Sequence, residues 1–125
     1  MTELDRLRIA EILDAIAAHE EWSQELWEQF DERLRGVSVD DLIAYAYEEL
    51  IHYSGEFNSM NLLGLRTRPD KIQVDAYKTE FRQICLAIRS GTSWKEYKRI
   101  NNIYEAADIS SGIKNLVRRF MPSSK

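Results

Sequence analysis

The sequence predicts an all-α fold: a compact bundle of five or six helices, one single domain over residues 1–125. Three observations predict it. Apolar residues return at three- and four-residue intervals along nearly the whole chain, the period of a helix with one buried face. Two prolines and five glycines in 125 residues are too few for the many turns of a strand-rich fold. Capping and stopping residues stand at the ends of the apolar stripes. The apolar share of 44% and the charged share of 30% belong to a chain that buries a core.

The first stripe opens after Thr2, a helix N-cap, and runs through Leu4, Leu7, Ile9, Ile12, Leu13 and Ile16. A second apolar set holds Trp22, Leu26, Trp27, Phe30 and Leu34. His19, Glu20 and Ser23 fall where the stripe would continue, which points to a break or kink there, with one long helix to Arg35 carrying a polar interruption as the alternative. Gly36 ends the second helix. Ser38 stands three residues before Asp41, close to a capping box, with Val37 and Leu42 in staple positions. That start predicts a helix burying Leu42, Ile43, Ala46, Leu50 and Ile51 and stopping near Ser54–Gly55.

Residues 55–69 are punctuated by Gly55, Asn58, Gly64 and Pro69, yet they hold Phe57, Met60, Leu62, Leu63 and Leu65. This predicts an ordered loop or short helix packed on the core, because free linkers are less apolar. Pro69 suits a first helical turn. Val74, Tyr77, Phe81, Ile84, Cys85 and Ile88 form the next stripe, ending at Gly91. Ser93 and Glu96 make a full capping box for a helix with Trp94, Tyr97, Ile100 and Tyr104. A last helix is expected from about Ser111 to Phe120, ended by Pro122, with Arg118 and Arg119 complementing its dipole.

Charge divides the chain in two. Residues 1–56 carry 15 acidic and four basic side chains; residues 57–125 carry six acidic and 13 basic. The net −4 hides that asymmetry. Fields of this kind act on encounter rates and partner choice more than on fold. The split points to a cationic partner for the first half, or to docking of acid on base, within the chain or between two copies as a homodimer.

Several classes are excluded by what is missing. No apolar run approaches the roughly 18 residues that span a bilayer, so no membrane partner is expected. The acidic start, Glu3 and Asp5 with no apolar stretch, is not that of a secretory signal. The single Cys85 permits no internal disulfide and fits a cytoplasmic setting. Between Ile84 and Leu86 it reads as a small buried hydrophobe rather than a nucleophile. No phosphate-binding glycine loop, nucleophile elbow, cysteine pair or His-Glu-x-x-His motif occurs. The chain is expected to be no enzyme, with no catalytic residue and no cofactor.

Three constellations remain. Glu49-x-x-His52, with Glu48 and Glu56 nearby, has the spacing by which helices hold metal ions. A complete site needs a second such pair, and Ile16 stands three before His19, the only other histidine. No metal is therefore expected. Residues 81–100 resemble a helix-turn-helix, two apolar helices around a Gly-Thr-Ser turn. That resemblance implies nucleic-acid contact through Trp94, Lys95, Lys98 and Arg99, with cations on phosphates and aromatics on bases. The acidity of the chain opposes it.

The third constellation is the acidic run. Glu20, Glu21, Glu25, Glu28, Asp31 and Glu32 occur without one intervening Lys or Arg. Glu21, Glu25, Glu28 and Glu32 would share a helix face, where like charges cost a few tenths of a kcal/mol per pair. The bland account is a solvated face, or one neutralised by the basic half. The functional account is a landing surface for a basic protein partner. Its contacts would be Glu21, Glu25, Glu28, Asp31 and Glu32, extended by Glu48 and Glu49, with Trp22 or Tyr47 as anchor. A bacterial immunity or antitoxin protein that inhibits a nuclease toxin has these requirements: a stable scaffold, dense acid and no catalytic residue.

Overall fold

The computed structural model describes residues 1–58, 63–65 and 68–103. All regular structure among them is helical: α1 (Glu3–Ala18), α2 (Gln24–Leu34), α3 (Asp41–Asn58), α4 (Lys71–Ser90) and α5 (Trp94–Asn101). The backbone divides into two units, Met1–Ser93 with α1 to α4, and Trp94–Lys125 with α5. The expected last helix, with Arg118 and Arg119, lies outside the described residues, as do Met60, Leu62 and Tyr104.

The starts follow local chemistry. Thr2 caps α1 in a reciprocal box with Asp5, each side chain bonded to the other's backbone N–H at 3.1 Å. The break after Ala18 is real. Ser23 accepts from the Leu26 N–H at 3.2 Å and starts α2 afresh. Gly36 follows α2 with φ +72°, a conformation that Cβ disfavours. Asp70 caps α4, and Gly91 closes it in the left-handed region. Pro69 thus precedes the cap rather than standing in the first turn.

The start of α3 differs from expectation. Asp40, not Ser38, accepts from the Ile43 N–H at 3.0 Å, and Val37 is exposed. A helix beginning at Asp41 needs its cap one residue earlier, and Asp caps as well as Ser. Its end differs too, because α3 runs through Gly55 to Asn58. The apolar register Ile43, Ala46, Leu50 continues to Tyr53 and Phe57. Tyr53 is fully buried, Phe57 packs on it edge to face at 5.1 Å, and Ile51 is exposed. Packing of these rings offsets the roughly 1 kcal/mol that a mid-helix glycine costs.

In the first unit α1 lies antiparallel to α4. Cys85 Sγ donates to the Ala10 carbonyl at 3.3 Å, Arg89 meets Asp14 at 2.9 Å, and Arg82 reaches the Ala17 carbonyl at 3.5 Å. α1 packs on both α4 and α2, so it buries a wide arc: Ile9, Ala10, Ile12, Leu13, Ile16 and Ala17. Leu4 and Leu7, nearer its start, are exposed. α3 packs on α4, joined by a Tyr45 hydroxyl that donates to Glu80 at 2.5 Å. The apolar stripe of α4 is buried as expected at Val74, Phe81, Ile84, Cys85 and Ile88. Beyond α3, Leu63 and Leu65 are exposed rather than packed on the core.

Candidate interaction surface

An aromatic layer sets the site. Phe30 is fully buried on α2, with Trp27 stacked beside it at 6.3 Å. Trp27 meets Tyr47 of α3 at 5.1 Å and Trp22 at 5.9 Å, and Trp22 meets Tyr53 edge to face at 5.9 Å. Tyr53 in turn touches Tyr77 and Phe81 of α4. These rings turn one face of α2 inward. The opposite side then carries Glu25, Glu28 and Glu32, all exposed.

The cations of α4 do not neutralise this spine. Among the described residues no cation lies within 4.0 Å of Glu21, Glu25, Glu28 or Glu32. The four cations of α4 are engaged elsewhere. Lys71 pairs with Asp75 at 3.2 Å, Lys78 bonds the Glu20 carbonyl at 3.3 Å, Arg82 the Ala17 carbonyl, and Arg89 pairs with Asp14. Two of these positive charges meet carbonyls at and just beyond the end of α1, whose last turn has no basic residue of its own.

The remaining expected contacts separate. Glu21 precedes the Ser23 cap, so it does not share the helical face of Glu25, Glu28 and Glu32. Asp31 is engaged internally: Arg35 donates to it at 2.9 Å and the Tyr47 hydroxyl at 3.0 Å. Hydrogen bonding to Asp31 raises the Tyr47 pKa above its usual 10.0. Asp31 and Tyr47 therefore join α2 to α3. Glu48 is exposed beside them. Glu49 has a side chain only 13% exposed, 3.5 Å from His52 Nδ1. Among the described residues no three metal-ligating side chains come together.

Glu21 and Trp22 line a pocket of about 420 Å³ with Phe57, Val74, Lys71 and Lys78. Trp22 is half-buried and forms a wall rather than a protruding anchor. Its indole Nε1 donates to Gln24 at 3.1 Å, and Gln24 donates to Glu28 at 3.2 Å, which ties the pocket to the spine. Periodicity alone did not bring Phe57 here, because α3 was expected to end before it. A second groove of about 760 Å³ between α1 and α2 mixes Asp5, Glu11 and Glu32 with Arg8 and Arg33, so charges of both signs meet there.

In the second unit, Trp94 stacks on Tyr97 at 6.1 Å and carries the Lys98 ammonium 5.3 Å from its ring centre. Arg99 is bonded to Glu96, and Lys95 is exposed. Cys85 is buried, and burial pushes its thiol pKa from 9.0 up to about 12. No described helix is long and apolar enough to cross a membrane. Comparison with known proteins returns no matching family model, no matching curated protein and no matching solved structure.

Proposed function

We propose that this chain is a binding protein whose α2 spine, Glu25, Glu28 and Glu32, docks a cationic protein and occludes its basic surface. One observation carries the reading: the spine is exposed and, among the described residues, forms no ion pair, while the cations of α4 are held against α1 and Asp75. Uncompensated carboxylates in a row destabilise a free helix slightly and accelerate encounter with an opposite potential. Glu48 extends the surface, while Asp31 and Tyr47 hold its two helices together. Inhibition of a nuclease fits this chemistry, since a site built for phosphate also attracts carboxylates. An immunity or antitoxin role in a bacterial cytoplasm is the form of the proposal.

The alternative, nucleic-acid binding through α5, is the weaker reading. It needs the Trp94 face and Arg99, and Lys98, Tyr97 and Glu96 already occupy these groups. Affinity capture at low and high salt, with nucleic acid digested in a parallel sample, separates the two. A single basic protein at stoichiometric yield, lost at high salt, is the expected result. Recovery of nucleic acid without protein would move function to α5.

A further inference from the structure

The pocket beside Trp22 has a chemistry of its own. Trp22, Phe57, Pro69 and Val74 give it apolar and aromatic lining. Its charged lining is Glu20, Glu21 and Asp75 against Lys71 and Lys78. Lys71 is paired with Asp75, and Lys78 is bonded to the Glu20 backbone carbonyl. Among the described residues neither the Glu20 nor the Glu21 carboxylate forms an ion pair, and the lining keeps three carboxylates against two ammonium groups; Glu20 and Glu21 directly precede Trp22. The segment carrying them is held: His19 Nδ1 lies 2.8 Å from the Glu21 carbonyl oxygen, and Trp22 is fixed to Gln24. Tyr53 braces both aromatic walls edge to face, at 5.9 Å from Trp22 and 5.1 Å from Phe57.

Resting on the reading above, we propose that this pocket receives the guanidinium of one arginine side chain from the cationic partner. Aromatic faces attract cations within about 6 Å, and the planar guanidinium stacks on them better than an ammonium does. A carboxylate beside the ring accepts its N–H donors. Arginine is also among the side chains that most often dominate binding at interfaces. The Trp22–Gln24–Glu28 bonds make the pocket continuous with the α2 spine, so one partner engages both.

The test is titration of N-acetyl-arginine amide into the ¹⁵N-labelled chain, read at the three tryptophan indole signals. Saturable movement of the Trp22 signal is expected, with Kd on the order of millimolar for so small a probe. Glu20→Gln with Glu21→Gln should raise that Kd about threefold, the worth of an exposed charge pair. Glu3→Gln, an exposed carboxylate at the start of α1 outside the pocket, should leave it unchanged. Absence of saturation at Trp22, or equal movement with N-acetyl-glutamate amide, overturns the proposal. If the probe fails while charge reversal on α2 still slows partner association, the pocket assignment falls and the docking surface stands. If the probe binds and charge reversal has no effect, the reverse holds.

Discussion

Tyr53→Phe should stabilise this protein. Tyr53 is fully buried among Trp22, Phe57, Tyr77 and Phe81. Its hydroxyl has no hydrogen-bond partner among the described residues. A buried hydroxyl without a partner costs about 1–3 kcal/mol relative to its solvated state in the unfolded chain. Phenylalanine keeps the ring contacts and removes that cost, so a gain of about 1 kcal/mol is expected. Tyr53→Ala instead deletes the ring and should lose about 3–5 kcal/mol. Urea unfolding followed by tryptophan fluorescence reads both. With m-values of about 1–3 kcal/mol/M, Tyr53→Phe should raise the midpoint by roughly 0.3–1 M at unchanged m. A pH arm checks the same group. Burial raises the Tyr53 pKa from 10.0 to about 12. The unfolded tyrosine therefore releases its proton first, and the stability tied to this group is complete below pH 10 and lost as pH rises toward 12. Tyr53→Phe should remove that part of the alkaline loss. A lowered midpoint for Tyr53→Phe at unchanged m would refute the reasoning, because the hydroxyl would then be hydrogen-bonded.

Glycine positions divide by conformation. Gly55 lies within α3 at ordinary φ with open space where a Cβ would stand, so Gly55→Ala should add about 0.5–1 kcal/mol. Gly91 has φ +72°, so Gly91→Ala should cost about 1 kcal/mol; paired thermal melts compare them. Cys85, its thiol pKa raised to about 12, should resist iodoacetamide in the native state at pH 8 and react only on unfolding. At the acid end, the Thr2 backbone and side chain hold Asp5 below its usual 3.8, so its contribution is intact above pH 3.8 and lost as pH falls further. Asp5→Asn, which removes the titrating group, should flatten that acid limb in a circular-dichroism titration.

The helices were legible because their signals are local. Thr2, Gly36 and Gly91 act within a turn of themselves, and the α4 stripe needs only its own period. The interrupted stripe at 19–23 left a break, a kink or one long helix open, and the Ser23 cap decides for two helices. Phe57 falls beyond the helix expected from sequence because Gly55 reads as a stop, and Tyr53 is not among the residues expected to be buried. A helix crosses a glycine when packing on either side outweighs its cost, and that packing comes from α2 and α4, distant in sequence. The spine Glu25–Glu28–Glu32 could be seen from spacing alone. Whether α4 would neutralise it could not, since that depends on the antiparallel register that carries Lys78, Arg82 and Arg89 to α1. Glu21 left the spine for the same kind of reason, because the Ser23 cap resets the helix after it.

The central claim is that the α2 carboxylates steer a cationic protein onto this surface. The measurement that tests it most directly is the association rate of the captured partner with the native chain and with Glu25→Lys/Glu28→Lys, across salt concentration. Both positions are exposed, and the native chain and the double variant should fold alike by circular dichroism. The account predicts that charge reversal slows association by about tenfold or more at low salt and flattens its salt dependence. Equal rates and equal salt slopes for the two proteins would contradict it.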